Sequence, residues 1–518
     1  MIVASHIDDI PLSDLTITQR VFAGLDPAAP VLIDGPSGRT LHGADLMQTV
    51  KALAGGLTAA GYAPGGCVAL MAPNMPEYCA VFHGVAWAGG TVTTINPTYT
   101  APEVHHQLID AGAELLVTIA AFVDTARAAI KGTRVRDIVV LDAAPEGTTP
   151  LSALLGTPMA EQAPVDVVNH VVTLPYSSGT TGLPKGVMLT HRNLVVNIDQ
   201  ALATTEQEPG EVTVSFLPFF HIYGLQVLMN INLAAGGCTV TMPRFDLEQF
   251  LTLCTTYRTR RLWIVPPVAL ALAKHPAVDR FDLSFIQQIN SAAAPLGADV
   301  AEAMGARLNT KAIQGYGMTE LSPVSHISTR DAAVSGASGR TVPNTQCRIV
   351  DPETLQDLPR GKDGELWVKG PQVMKGYLNN PEATANTIVQ NGWLRTGDIA
   401  HFDENGFLFV TDRLKELIKV KGFQVAPAEL EALLLTHPAI SDAAVIGVPD
   451  PDSGEVPMAF VVASAPLTLA DLRAYLEPQV AHYKHIQRLE LVPDVPKSAS
   501  GKILRRVLRD RVAAKTHP

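Results

Sequence analysis

The first clear pattern of apolar and polar positions lies between residues 67 and 95. CVALMA (67–72) is a short run without a charged or strongly polar side chain, as in a strand covered on both faces. Asn74 is the expected N-cap of a helix-length segment, MPEYCAVFHGVAWAG, which Gly89 and Gly90 close. TVTTI (91–95) then reads as a second strand. That order predicts a βαβ unit and a parallel sheet with a right-handed crossover. Thr100, Pro102 and Glu103 form a capping box with proline in its first turn, and apolar runs at 115–119 and 138–141 continue the alternation.

Beyond Thr411 the elements shorten. Strands are predicted at 443–448 and 459–463, one helix at 469–476 and a basic tail helix at 502–511, punctuated by GVPDPDSGEVP and PDVPKSASGK. A chain of 518 residues exceeds one ordinary core. The expected fold class is therefore α/β, with a large N-terminal α/β domain over 1–411 and a small α+β domain over 412–518. The junction falls between Thr411 and Lys415.

Composition narrows the possible functions. With 47% hydrophobic and 17% charged residues the chain is globular in type. It has no apolar stretch of about 18 residues, so no transmembrane helix is expected. MIVASHIDDI opens with acidic rather than basic residues and KTHP lacks the S-K-L address, so neither a secretory nor that peroxisomal route is expected. Cys67, Cys79, Cys238, Cys254 and Cys347 are scattered and never form C-x-x-C, which argues against a disulfide frame or zinc site and fits a reducing cytosol. A net charge of −11 disfavours nucleic-acid binding, although an acidic protein can still gather cations around an anionic substrate.

YSSGTTGLPKG (176–186) follows the strand-like VVTL (171–174), at the sheet end where α/β folds hold ligands. Its glycines let backbone N–H groups approach anionic oxygens, its hydroxyls donate, and Lys185 adds a point charge. The pattern is not G-x-x-x-x-G-K-[ST], and SSGTTG alone would suit a flexible linker. The lysine–glycine pair running into apolar VML favours a phosphate loop. QGYGMTE (314–320) offers Tyr316 as a face for a planar base, while Thr319 and Glu320 carry the hard oxygens that Mg2+ prefers; a capped turn is the plainer alternative.

In WLRTGD (393–398), Asp398 can take two hydrogen bonds from a ribose diol, though Thr-Gly-Asp is also an ordinary turn. DRLKELIKVKG (412–422) alternates charged and apolar positions, as a solvated strand would. PKSASGK (496–502) sets Lys502 after a Ser-Gly turn at a helix start, so it should project from a loop tip; frayed basic tails look similar. His221 in LPFFHIYGL (217–225), taken alone, suits a satisfied core residue better than a catalyst.

Together and in this order, these motifs resemble the adenylate-forming acyl-CoA synthetase superfamily over nearly the whole chain. DRLKELIKVKGFQVAPAELE (412–431), SAAAPLG (291–297) and HIYGL are most similar to its 4-coumarate–CoA ligase and luciferase-like branch. The resemblance implies a small C-terminal domain that swings on a hinge at Lys415. It also implies two half-reactions: a carboxylate attacks the α-phosphate of ATP to release pyrophosphate, and the coenzyme A thiol then displaces AMP.

By the same resemblance, Ser177, Ser178, Gly179, Thr180, Thr181, Gly182 and Lys185 cradle the β- and γ-phosphates. Tyr316 with Ala293 and Ala294 flank adenine, in a nucleotide site that includes Gln314 and Gly315. Thr319 touches the α-phosphate, Glu320 holds Mg2+, and Asp398 and Arg413 bind the ribose. Lys502 stands between the carboxylate and the α-phosphate in the adenylating pose. Lys419 serves the thioester-forming pose, with Lys421 and Gly422 along the coenzyme A path. His221 lines the acyl and thiol approach, and Tyr223, Ala294, Gly315, Met318, Pro323 and Val324 the acid pocket. Two positions depart from the family pattern: Ala292 replaces the glycine of S-G-A-A-P-L-G, and Val227 stands where plant enzymes often carry a small polar residue.

A pocket of Gly, Ala, Pro and Tyr suits a flat ring, so the expected acid is a hydroxycinnamate, used with ATP, Mg2+ and coenzyme A. A medium-chain fatty acyl-CoA ligase shares every nucleotide motif and is the alternative. Luciferase-type oxidation and a non-catalytic nucleotide-binding homologue are more distant readings, the latter disfavoured by Lys502, Glu320 and Asp398. The remaining expectations are a cytoplasmic monomer or homodimer without nucleic-acid or membrane partners.

Overall fold

The computed structural model describes residues 2–177, 184–421, 423–499 and 501–516. The sheet predicted from 67–95 organises its larger part. Cys67–Met71 is buried throughout and lies between Thr91–Thr94 and Leu115–Thr118, parallel to both, with Val68 opposite Val92 and Leu115. Burial on both faces explains why this strand carries no alternation. Among the described residues the sheet has eight strands: Gly376–Tyr377, Lys185–Thr190, Val171–Ser177, the three just named in the order 91, 67, 115, then Asp137–Val140 and Thr149–Pro150.

The helix of the βαβ unit is Pro76–Trp87, and Asn74 is not its cap. Met75 holds the cap position, and Pro76 needs no acceptor there because its nitrogen carries no N–H to satisfy. Asn74 instead donates to the Ser215 and Leu217 carbonyls, both at 2.9 Å, and accepts from the Phe219 amide at 2.8 Å. It thus fixes the segment leading to His221. The capping box at Thr100 forms as expected: Glu103 accepts from the Thr100 amide at 2.7 Å, and the helix Ala101–Ala111 follows.

Three parallel strands, Arg261–Ile264, Gln288–Ser291 and Lys311–Gln314, form a second layer. An antiparallel sheet carries Trp393–Phe402 and Leu408–Arg413. Asp412 and Arg413 still pair with Ile399 and Asp398 in that sheet, while Ile418–Val420 belongs to the sheet of the small domain. Residues 414–417 therefore connect the two.

In the small C-terminal domain the hairpin of Ile440–Asp450 and Gly454–Ala463 extends beyond the predicted 443–448 and 459–463. Backbone pairing continues through polar flanking positions that an apolar count leaves out. The helix Leu469–Leu476 is where the pattern put it. The tail helix is not: it starts at Arg505, three residues after Lys502. Lys502 closes a turn in which the Ser498 amide donates to its carbonyl at 2.8 Å. Arg505 opens the helix with a bidentate pair to Glu431, both contacts at 2.7 Å, and burial pushes that carboxyl up to about 7. Among the described residues no helix is long and apolar enough to cross a membrane, and the five cysteines are free and buried.

Candidate active site

A cavity of about 740 Å3 opens at the C-terminal ends of the three parallel strands. Trp263, Asn290 and Ser291 line it from the strands themselves, and Ala292, Ala293 and Gly315 from the segments that follow, with Tyr316 beyond Gly315. This is the edge where α/β sheets hold ligands, because strand ends leave backbone groups and loops free to face one. Ala293 has φ +76, a left-handed conformation that costs a non-glycine residue strain and turns its backbone at the cavity wall.

Gly317, beside Tyr316, serves packing more than exposure. A Cβ on Gly317 would stand 2.2 Å from the Pro323 carbonyl oxygen, so the short strand Tyr316–Gly317 can approach Val324–Ile327 only with glycine there. Tyr316 meets His326 edge-on at 5.8 Å between ring centroids, and its hydroxyl donates to Asp398 Oδ2 at 2.6 Å. Arg413 Nε lies 3.3 Å from Asp398 Oδ1. Burial and the Asp398 charge push the Tyr316 phenol well above its usual value, and Asp398 raises Arg413 further.

A second group forms around Glu320, which is 5% exposed. Its Oε1 accepts from the Ser177 hydroxyl at 3.1 Å and from the Tyr377 hydroxyl at 2.9 Å. Lys185 pairs with Ser177 across the hairpin and holds its ammonium 4.6 Å from the Tyr377 ring centre. Ser178, Gly179, Thr180, Thr181 and Gly182 lie outside the described residues, as does Gly422. Tyr377 was missed because nothing in the local GY pair marks it; only folding brings it to Glu320. A buried carboxylate beside the Thr319 hydroxyl is a donor set suited to a hard cation such as Mg2+. Among the described residues no cluster of three or more His, Cys, Asp or Glu side chains could hold a metal by itself.

Lys502 enters the same cavity from the C-terminal part of the chain, beside His221. It does not project from an exposed tip. Gly501, at φ +81, lets the turn settle against Val265 and Pro267, where a Cβ would already stand 3.3 Å away. Burial and the neighbouring Arg413 push the Lys502 ammonium down to about 8, against the pull of Asp398 and Glu320. Burial, then Lys502, push His221 down to about 3, so its ring is neutral at ordinary pH.

The expected acid-pocket residues Tyr223, Gly315, Met318, Pro323 and Val324 line the cavity, as do Thr319 and Ala293. Ala294 does not, and Gln314 turns its amide to the Leu296 backbone, accepting at 2.9 Å and donating at 3.2 Å. Both were expected at the site; the left-handed turn at Ala293 and the strand's alternation direct them elsewhere. Tyr223 begins a π-helical segment, Tyr223–Ile231, and its hydroxyl donates to the Ile264 carbonyl at 3.3 Å. Such segments re-aim side chains at functional sites, and no local residue pattern announces this one. It brings Val227 and Ile231 to the wall.

Thr205 and Ser291 also line the cavity, and among the described residues their buried hydroxyls have no hydrogen-bond partner. Lys419, Lys421 and Lys415 do not join the site. The first two are exposed on the small C-terminal domain, where the Lys419 amide donates to Glu455 at 2.9 Å and the Lys421 amide to the Ser453 carbonyl at 2.8 Å. Lys415 is exposed in the connecting segment.

A family model described as "AMP-binding enzyme" matches residues 20–378, and one described as "AMP-binding enzyme C-terminal domain" matches residues 429–502. The protein "4-coumarate--CoA ligase 1" of Petroselinum crispum is 44% identical over 499 residues, covering 93% of this chain and 91% of its own length. The ATP-bound structure of MatB from Rhodopseudomonas palustris superposes with a TM-score of 0.87 at 31% identity, covering 96% of this chain and 98% of that one. An anthranilate CoA ligase, AuaEII, in complex with anthranoyl-AMP superposes with a TM-score of 0.91 at 25% identity, covering 98% and 99%.

Proposed function

This chain belongs to the AMP-binding enzyme family and is an ATP-dependent, AMP-forming acid–CoA ligase, and we propose that its acid is a hydroxycinnamate of the 4-coumarate type. One observation carries the choice of acid. The cavity is mainly apolar, and its wall sets the Tyr223 ring beside Gly315, Met318, Pro323 and Val324. Small residues next to an aromatic ring suit a flat ring better than a long flexible chain. The 44% identity to a 4-coumarate–CoA ligase over 93% of the chain supports the same choice.

In this reading the acid carboxylate lies near Lys502 and attacks the α-phosphorus of ATP; a P–O bond forms and pyrophosphate leaves. Lys502 neutralises charge that grows between the two anions. Ser177 and Lys185, with the loop at 178–182, hold the departing pyrophosphate. Tyr316 flanks the adenine, and Asp398 and Arg413 hold the ribose. Glu320 with Thr319 would hold Mg2+, which supplies charge neutralisation on the phosphates when bound. The coenzyme A thiol then attacks the acyl carbon, and AMP leaves with the electron pair. Lys419, Lys421 and Gly422 serve that step after the small C-terminal domain turns about Lys415, since these lysines are remote from the cavity while Lys502 is in it. Five unpaired cysteines support a reducing compartment such as the cytoplasm.

The aliphatic wall of Ile222, Val227 and Ile231 favours a second reading, a medium-chain fatty acyl-CoA ligase. Pyrophosphate release with 4-coumarate, cinnamate and octanoate separates the two. The expected order is 4-coumarate first, ahead of cinnamate by about tenfold in kcat/KM, the worth of one well-placed hydroxyl. Octanoate preferred over both would overturn the proposal.

A further inference from the structure

The register of the three parallel strands gives the depth of the cavity. Trp263 pairs with Asn290, and both line it; one side-chain step deeper, on the same faces, Arg261 pairs with Gln288. Arg261 is 7% exposed and does not line the cavity. Its guanidinium is instead held from three sides. Nη1 donates to the Thr205 carbonyl at 2.7 Å, Nη2 to the Glu206 carbonyl at 3.2 Å, and Nε to Glu211 Oε2 at 3.1 Å. Thr205 lines the acid cavity. Glu211 lines a second cleft of about 1230 Å3, bordered by Tyr257, Arg260 and Phe285. Among the described residues, the side chain that bonds to a residue of each is Arg261.

We propose that Arg261 is a specificity-determining stop: clamped to Thr205, Glu206 and Glu211 one side-chain step behind the lining, it backs the floor of the acid cavity and separates it from the cleft beyond. This rests on the reading that the acid occupies this cavity. The clamp has a physical advantage over an apolar plug. An aliphatic side chain there would yield to a growing alkyl chain at little cost, whereas moving Arg261 takes the ion-pair partner from a largely buried carboxylate and a donor from each of two carbonyls. Acids that end above it leave the clamp intact. Longer chains must displace a charge pair, so efficiency falls sharply with length.

The test removes both charges together, because removing one would leave the other buried and unpaired. The R261A/E211A enzyme and the wild type are assayed by pyrophosphate release with 4-coumarate, octanoate, dodecanoate and hexadecanoate, with thermal unfolding followed in parallel. In the double variant the kcat/KM for dodecanoate and hexadecanoate rises by at least about tenfold, since each methylene newly buried is worth about fourfold. A folded double variant with the wild-type length profile overturns the stop. Wild-type enzyme that turns over hexadecanoate as well as octanoate overturns it without any variant. Val227→Trp, a bulky side chain in the wall, should depress every acid. If it depresses none, the acid does not lie in this cavity, and the stop falls together with the site reading. If it does, an unchanged length profile in the double variant refutes the stop alone.

Discussion

The Tyr316 hydroxyl donates to Asp398 Oδ2 at 2.6 Å while Arg413 lies 3.3 Å from Oδ1, so the carboxylate proposed for the ribose is aimed by two protein donors. The two partners differ in what their loss leaves behind. Tyr316→Phe leaves Arg413 in place, and KM for ATP should rise by less than about tenfold. Asp398→Ala strands both a phenol and a guanidinium and should lower kcat/KM for ATP by about a hundredfold or more. Acid-dependent ATP–pyrophosphate exchange reads both, and equal effects would contradict the arrangement.

Lys502 and Lys419 should separate the half-reactions. Lys502 lines the cavity and Lys419 is exposed on the small C-terminal domain. Lys502→Ala should lower pyrophosphate exchange by about a hundredfold, the usual worth of one charge-stabilising group, and largely spare thioester formation from supplied acyl-AMP. Lys419→Ala should do the reverse. Exchange at the wild-type rate in Lys502→Ala would remove the lysine from adenylation.

The Lys502 ammonium, pushed down to about 8 by burial and Arg413, is the useful form only while protonated. Adenylation kcat/KM should therefore hold below pH 8 and fall about tenfold per unit above it, as the free enzyme loses that proton. His221, already neutral, adds no limb near neutrality. Lys502→Arg, though slower, should lose the alkaline limb because arginine stays charged. The same limb in both enzymes would assign it elsewhere.

Three further histidines make the fold acid-sensitive. Burial pushes His83, His191 and His326 down to about 3 from 6.5. His191 Nδ1 accepts from the Ile17 amide at 3.2 Å, which a protonated ring could not do. The unfolded chain binds these protons first, so stability is full above pH 6.5 and is lost as pH falls from there toward 3. At pH 5 each costs about 2 kcal/mol, and the three together about 6, comparable to the stability of a domain. The urea midpoint should drop clearly between pH 7.5 and pH 5; an unchanged midpoint would contradict the burial of neutral rings.

The chain by itself determined the local elements and the types of group the chemistry needs. CVALM became a strand buried on both faces because five such positions in a row leave no solvent face. Thr100 and Glu103 capped their helix because the capping box is closed within four residues. Asp398 and Glu320 could be read as candidates for ribose and metal from the residue types of their motifs, whereas Lys502 became a candidate for the reacting centre only through the resemblance of the whole motif set to a known family.

Tertiary structure decided what those groups touch. Asn74 left the cap for a segment far along the chain, Gln314 and Ala294 turned away from the cavity, and Lys502 moved from an imagined exposed tip into a half-buried position that lowers its pKa. Tyr377 reached Glu320, the π-helical segment brought Val227 and Ile231 to the wall, and Arg261 came to rest between two cavities. The reason is common to all of them. Propensity, capping and alternation act over a few residues, whereas desolvation, charge pairing and cavity shape depend on neighbours that only the packed fold brings within a few ångströms.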